Sequence, residues 1–389
     1  MLTTQFEATD ARKCFPCFDE PELKAKFSLT LNIPKELDAV SNMPIKKQFN
    51  KNLKTIIFQE TPIMSTYLLA FVISEFEYLE GKTNNGTKVR IITTPGKKHR
   101  AKFALDVTIK SLEYYNNYFK IPYPLPKLDL IAIPDFEAGA MENWGLITYR
   151  ETQLLFDEKN SSAGVKQAVA ETINHEIAHQ WFGNLVTMKW WNDLWLNEGF
   201  ASWIENKVTD KIFPEFDIWT QYLTDVRIPA LYLDSLESSH PIEVKVVNPG
   251  EINEIFDAIS YNKGSCVLRM LEQFLGEEVF RNGLRYYLNK FKYGNATTDD
   301  LWISLQKISK KPVKKFMHLW TKQMGYPMIS VNKNKLNQEK FSYINKKSKS
   351  LWYINLAALE NNKINNYEAK NKEFKIKNPN VLLNPGQVG

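Results

Sequence analysis

His175 and His179 stand four residues apart in the string HEIAHQWFGN, residues 175–184. On a helix this spacing projects both imidazoles from one face, where they can converge on one cation. Glu176 follows the first histidine and falls beside the open coordination position, the place for a general base acting on a water. A carboxylate suits the third ligand, and Glu198 lies nineteen positions after His179 in the string WLNEGFA, residues 195–201. Two histidines and one glutamate leave zinc a fourth position for water. The string alone fixes only three residues, so an ordinary helix with solvated histidines is the competing reading. Five histidines occur in the chain and two of them are here.

These residues need two helices. Apolar spacing predicts the first from Ala163 to Asn184 and the second from about Trp195 to Val208, with Asp193 as its cap. Glu205 lies seven positions after Glu198, on the same face two turns on, and reads either as a partner orienting a histidine or as a surface glutamate. A further helix is predicted from Lys98 to Phe119, ended by Pro122, Pro124 and Pro126. Other helical stretches follow near 216–223, 264–275, 277–291, 299–309 and 313–324. Strands are expected at Lys26–Ile33, Thr55–Gln59, Tyr67–Phe71, Lys88–Thr94 and Leu128–Ile133. Alternation returns at Met328–Val331, Phe341–Ile344, Leu351–Leu356 and Phe374–Ile376. No strand is expected before the Thr4–Arg12 loop. The fold class is therefore α+β and multidomain: a β-rich region over 1–87, a mostly helical catalytic domain over 88–326, and a small β module over 327–389.

At 389 residues the chain exceeds a single core. Hydrophobic residues at 43% and charged residues at 24% exclude a disordered chain. The net charge of +6 is spread out except in the Lys/Asn-rich 333–377. No arginine-rich or aromatic reading motif accompanies it, so a solvated surface is expected and not nucleic-acid binding. Three cysteines, Cys14, Cys17 and Cys266, argue against a disulfide scaffold and for a reducing, cytoplasmic compartment. No apolar run of about twenty residues spans a membrane.

The loop GAMENWG, residues 139–145, places small residues where backbone could approach a ligand and a carboxylate, Glu142, beside them. With it, HEIAHQWFGN, WLNEGFA, the YNKG of residues 261–264, and TQFEATDAR and FPCFDEP upstream, the chain resembles the zinc aminopeptidases of the aminopeptidase N type among the HExxH gluzincins. The resemblance implies a partial N-terminal β domain, a thermolysin-like catalytic domain and the start of a β-sandwich, with the family's outer ends missing. It implies one zinc held by His175, His179 and Glu198, with Glu176 as general base. Tyr261 corresponds to the family's donor to the oxyanion. Glu142 and Glu7 correspond to the carboxylates gripping a free α-amine, with Gln5, Gly139, Ala140, Met141 and Asn143 lining the substrate site. The implied substrates are peptides with a free N-terminus. Epoxide-opening leukotriene hydrolases share the scaffold but carry a GGMEN-type loop, against which Ala140 argues. A non-catalytic or weakly active peptide-binding relative is the other alternative, opposed by the intact ligand set.

Overall fold

The computed structural model describes residues 1–344, 348–378 and 380–385. They carry an N-terminal β-rich region, a central mostly helical region and a C-terminal β-sandwich-like region, the α+β layout expected. By internal contacts the chain forms two units, one of Met1–Trp191, Ile204–Ile218 and Leu288–Ala296, the other of Asn192–Trp203, Trp219–Tyr287 and Thr297–Gly389.

Within the first unit, Leu2–Thr3, Phe71–Ser74 and Asp38–Ser41 make one small sheet, and Thr30–Ile33, Lys54–Phe58 and Ile45–Asn50 another. A five-stranded sheet follows in the order Ala140–Met141, Leu146–Arg150, Lys127–Ile133, Lys88–Thr93 and Glu77–Lys82. Its three central strands are parallel. Lys127–Ile133 is buried at every position, as an inner parallel strand covered on both faces requires. Helix α1 (Lys102–Phe119) and helix α2 (Ala163–Ala178) belong to this unit, and helix α3 (Trp195–Ile212) carries its second half there.

The second unit holds the helices Gly264–Leu275, Thr298–Ser309 and Val313–Thr321, then two three-stranded sheets. Pro327–Asn332, Lys335–Lys340 and Glu373–Lys375 form one, and Ile354–Glu360, Lys363–Ala369 and Leu382–Leu383 the other. Leu336, Trp352 and Ala358 are buried in this region.

Four expectations are corrected. Tyr67–Phe71 is not a strand: Thr66–Leu68 is a buried 3-10 turn, and the strand is Phe71–Ser74. The Ala70 amide there donates to Asn42 Oδ1 instead of to a ladder. Phe341–Ile344 is not a strand either, because pairing of Pro327 with Lys340 ends the ladder and leaves Tyr343 and Ile344 exposed. The strand is Lys335–Lys340, whose inward residues are Leu336 and Gln338, so its alternation is hidden by a buried amide that bonds Trp352 N and O. A short strand, Leu2–Thr3, does precede the Thr4–Arg12 loop, paired with Phe71–Ser74. Finally, α2 stops at Ala178 with His179 as its C-cap, and the chain leaves the helix through Gly183 at φ 129°.

Candidate metal centre

Ser162 caps α2 by accepting from Val165 N at 3.3 Å. Its rotation is fixed one residue before the first histidine. Asn174 Nδ2 donates to Thr209 Oγ1 on α3 at 2.8 Å, Tyr115 Oη on α1 donates to Asn174 O at 2.8 Å, and Ser111 Oγ donates to Asn174 Oδ1. All four residues are fully buried, so the three helices are tied by polar bonds that water cannot replace.

The histidine tautomers follow from their partners. His179 Nδ1 lies 3.0 Å from Phe182 O, and His175 Nδ1 lies against Glu205 Oε2. A carbonyl and a carboxylate only accept, so both Nδ1 atoms carry the hydrogen and both Nε2 atoms present lone pairs. Those two Nε2 atoms face each other at 3.0 Å. Two lone pairs so placed repel unless a cation lies between them, and a third donor is at hand. One ligand atom each from His175, His179 and Glu198 lie within 4.8 Å of one another, and His179 and Glu198 are buried. This mostly buried His/His/Glu cluster fits a single zinc ion, whose usual donors are imidazole nitrogen and carboxylate oxygen. Glu205 thus takes the orienting role and not the surface one, the outer partner that metal-bound histidines require.

Glu142, Glu176 and His179 form a second group within 4.8 Å, and Glu7, Glu142 and Glu198 a third. The Glu176 and Glu142 side chains are nearly inaccessible. Burial first, and then the charge of Glu176, push the Tyr149 hydroxyl well above its ordinary range. Gln5 Oε1 and Asn143 Oδ1 are buried acceptors with no hydrogen-bond partner among the described residues.

The 139–145 loop is held by its carbonyls. Asn184 Nδ2 at 2.8 Å and Gln180 Nε2 at 3.3 Å both donate to Glu142 O. Asn42 Nδ2 donates to Trp144 O at 2.9 Å, and Lys127 Nζ to Gly145 O at 2.7 Å. Lys127 Nζ also donates to Ser41 O and Asp129 Oδ2, so its three hydrogens are all used, as an ammonium's should be. Burial raises the Asp129 carboxyl, but Lys127 and the bidentate Arg90 outweigh it and hold it below its ordinary value. Gly145 sits at φ 83° and a Cβ there would lie 2.4 Å from Asn42 O, so only glycine fits. None of Asn42, Lys127, Gln180 or Asn184 was identified as functional from sequence. The signal available was two amides, Gln180 and Asn184, inside the histidine string.

In the second unit, Gly199 follows Glu198 at a close approach. A Cβ on it would lie 3.1 Å from Gly264 Cα and 3.2 Å from Ser260 O. These atoms belong to the π-helical turn Ile259–Lys263 and the helix start behind it, and Tyr261 lies within that turn. The glycine of WLNEGFA therefore lets the glutamate-bearing helix touch the tyrosine-bearing turn.

A His/His/Glu cluster with a buried glutamate directly after the first histidine has the ligand set of a gluzincin-type zinc site. The model of the "Peptidase family M1 domain" matches residues 103–320, and that of the "Peptidase M1 N-terminal domain" matches residues 1–68. The chain belongs to peptidase family M1. It is 55% identical over 359 residues to aminopeptidase M1-C of Oryza sativa subsp. japonica and 54% identical over 359 residues to aminopeptidase M1 of Arabidopsis thaliana. Each match covers 91% of this chain and 41% of the relative. It is 49% identical over 393 residues to the alanine/arginine aminopeptidase of Saccharomyces cerevisiae, covering 96% of this chain and 46% of the relative. The chain thus spans less than half the length of these relatives. Among the described residues, no helix is long and apolar enough to cross a membrane.

Proposed function

We propose that this chain carries the active site of a zinc aminopeptidase of the aminopeptidase N type, removing the N-terminal residue from peptides. The observation that carries this reading is the joint presence of the His175/His179/Glu198 cluster and the Glu7–Glu142 carboxylates beside it. When bound, zinc supplies Lewis acidity, polarising a carbonyl and lowering the pKa of a water toward about 7. Glu176 takes a proton from the attacking water and delivers it to the departing amine. Tyr261 donates to the developing oxyanion, a contact commonly worth about 100- to 1000-fold in rate. Glu142 and Glu7 bind the substrate ammonium, and the Gln5 and Asn143 acceptors add neutral oxygens around it. Gly139 and Ala140 backbone groups hold the peptide and Met141, itself buried, lines the first side-chain pocket. A carboxylate pair closing that end leaves no room for a preceding residue, which makes the enzyme an exopeptidase.

The matched ranges 1–68 and 103–320 support one boundary between residues 68 and 103 and a second near 326/327. Because Glu77–Lys82 shares a sheet with Lys88–Thr93, the first is better drawn before residue 77 than at 87/88. The reducing, cytoplasmic compartment rests on the scarcity of cysteine alone, three in 389 residues. The test uses an aminoacyl amide with a free or an acetylated α-amine, on zinc-loaded protein. Cleavage of the free form alone is expected, and Glu176→Ala should retain zinc while losing turnover. Equal cleavage of the acetylated substrate, or intact hydrolysis by Glu176→Ala, would refute the assignment.

A further inference from the structure

The turn that carries Tyr261 is built around Asp257. Asp257 Oδ1 accepts from Ile259 N at 2.8 Å and Ser260 N at 3.2 Å, and Asp257 O accepts from Tyr261 N at 3.1 Å. This carboxylate, one residue ahead of the N-cap Ala258, satisfies two of the amides at the start of a π-helical segment. Its remaining oxygen, Oδ2, faces His240 Nε2 at 2.9 Å, while His240 Nδ1 faces Pro241 O at 2.8 Å. Both partners are acceptors only, so the two bonds form together only when both ring nitrogens donate, that is, when His240 is an imidazolium. We propose that the His240–Asp257 ion pair is a brace that sets the aim of Tyr261, making His240 a positioning residue for turnover. The inference rests on the assignment of Tyr261 made above.

Two charged groups act on the imidazole, and a third acts on one of those two. Asp257 is its direct partner, Lys263 at the end of the turn opposes its charge, and Asp234 neutralises Lys263 through a 2.8 Å ion pair. Burial lowers the His240 pKa, but the bonds to Asp257 and Pro241 O and the Asp257 charge outweigh it and Lys263, leaving it raised above 6.5. A raised histidine pKa means that the brace is complete below about 6.5 and is lost as pH rises through the folded value. Deprotonation removes one donor, so either Asp257 or Pro241 O loses its bond. Half-buried and 20% exposed at the side chain, His240 can exchange its proton with solvent.

The experiment is a kinetic double-mutant cycle on the zinc-loaded chain with His240→Gln and Tyr261→Phe, joined to an NMR titration of the histidine rings. Only five histidines occur, so the His240 signal is assigned by its loss in His240→Gln. The brace predicts a His240 pKa above 6.5 and a kcat roughly 10-fold lower in His240→Gln at pH 6, with KM and zinc content unchanged. In a Tyr261→Phe background the same substitution should cost almost nothing, because its target is gone. His240→Arg, with a charge that never titrates, should keep the low-pH kcat and flatten the alkaline limb. Equal losses in both backgrounds, or a His240 pKa at or below 6.5, would overturn the brace alone. A Tyr261→Phe protein with unchanged kcat, or a chain that hydrolyses nothing, would overturn the assignment of Tyr261 and the brace with it.

Discussion

Replacing Glu205 with Gln keeps the side-chain volume and an oxygen that can still accept from His175 Nδ1, and removes only the charge. The carboxylate acts on the metal centre in two ways: it fixes the tautomer that leaves Nε2 bare, and it raises the basicity of the ring. Substituting such outer partners typically lowers metal affinity about 10- to 100-fold, or about 1.4 to 2.7 kcal/mol. The His175 side chain is 13% exposed and that of Glu205 20%, so water screens the pair only in part. Glu205→Gln should therefore fall near the middle of that range, and Glu205→Ala, which also frees the tautomer, at or beyond its upper end. The assay strips the metal by dialysis against a chelator and follows recovery of hydrolysis in buffers of fixed free zinc. At saturating zinc both variants should regain most of the wild-type kcat, since neither touches the reacting atoms. A Glu205→Gln protein that binds zinc as tightly as wild type would refute the argument. So would a kcat loss that saturating zinc does not restore.

Gly199→Ala places a Cβ 3.1 Å from Gly264 Cα and 3.2 Å from Ser260 O, backbone atoms that cannot rotate away. Overpacking of this kind costs about 1–3 kcal/mol, and the strain falls on the turn of Tyr261, so denaturant unfolding should show the loss together with a lower kcat. Wild-type stability in Gly199→Ala would contradict the close approach. Asn184→Ala removes the 2.8 Å donor to Glu142 O and leaves the 3.3 Å bond from Gln180. A buried bond of this type is worth about 1–3 kcal/mol when one partner is deleted. Under the proposed function Glu142 grips the ground-state amine, so KM should rise more than kcat falls. An unchanged KM in a destabilised Asn184→Ala protein would disconnect the carbonyl clamp from substrate binding.

The parts of the site legible from residues alone are those made within one or two helical turns. His175, Glu176 and His179 share one helix end, and Glu205 follows Glu198 by two turns, so local geometry assigns their faces before any fold is known. Glu198 lies nineteen residues after His179, and Tyr261, assigned to the site through the family resemblance alone, lies sixty-three after Glu198. Periodicity failed where an inward position was polar, as at Gln338, and where side chains replaced ladder partners, as Asn42 does at Ala70. It also overran α2, because His179 and the residues behind it keep helical apolar spacing while the backbone turns away.

The clamps on the 139–145 loop show why such residues escape a sequence reading. Buried carbonyls at Glu142, Trp144 and Gly145 must find donors, since a buried unpaired backbone group costs about as much as a lost hydrogen bond. The need can be stated from the loop, but the donors come from Asn42, Lys127, Gln180 and Asn184, up to about a hundred residues away. Two of the four come from the chain that leaves the zinc helix. Gln180 and Asn184 therefore join the segment carrying the histidines to the loop carrying Glu142, so a displacement of one is passed to the other. The histidine string continues through Gln180 to Asn184 because the same stretch that supplies the metal ligands also positions the carboxylate assigned to the substrate amine.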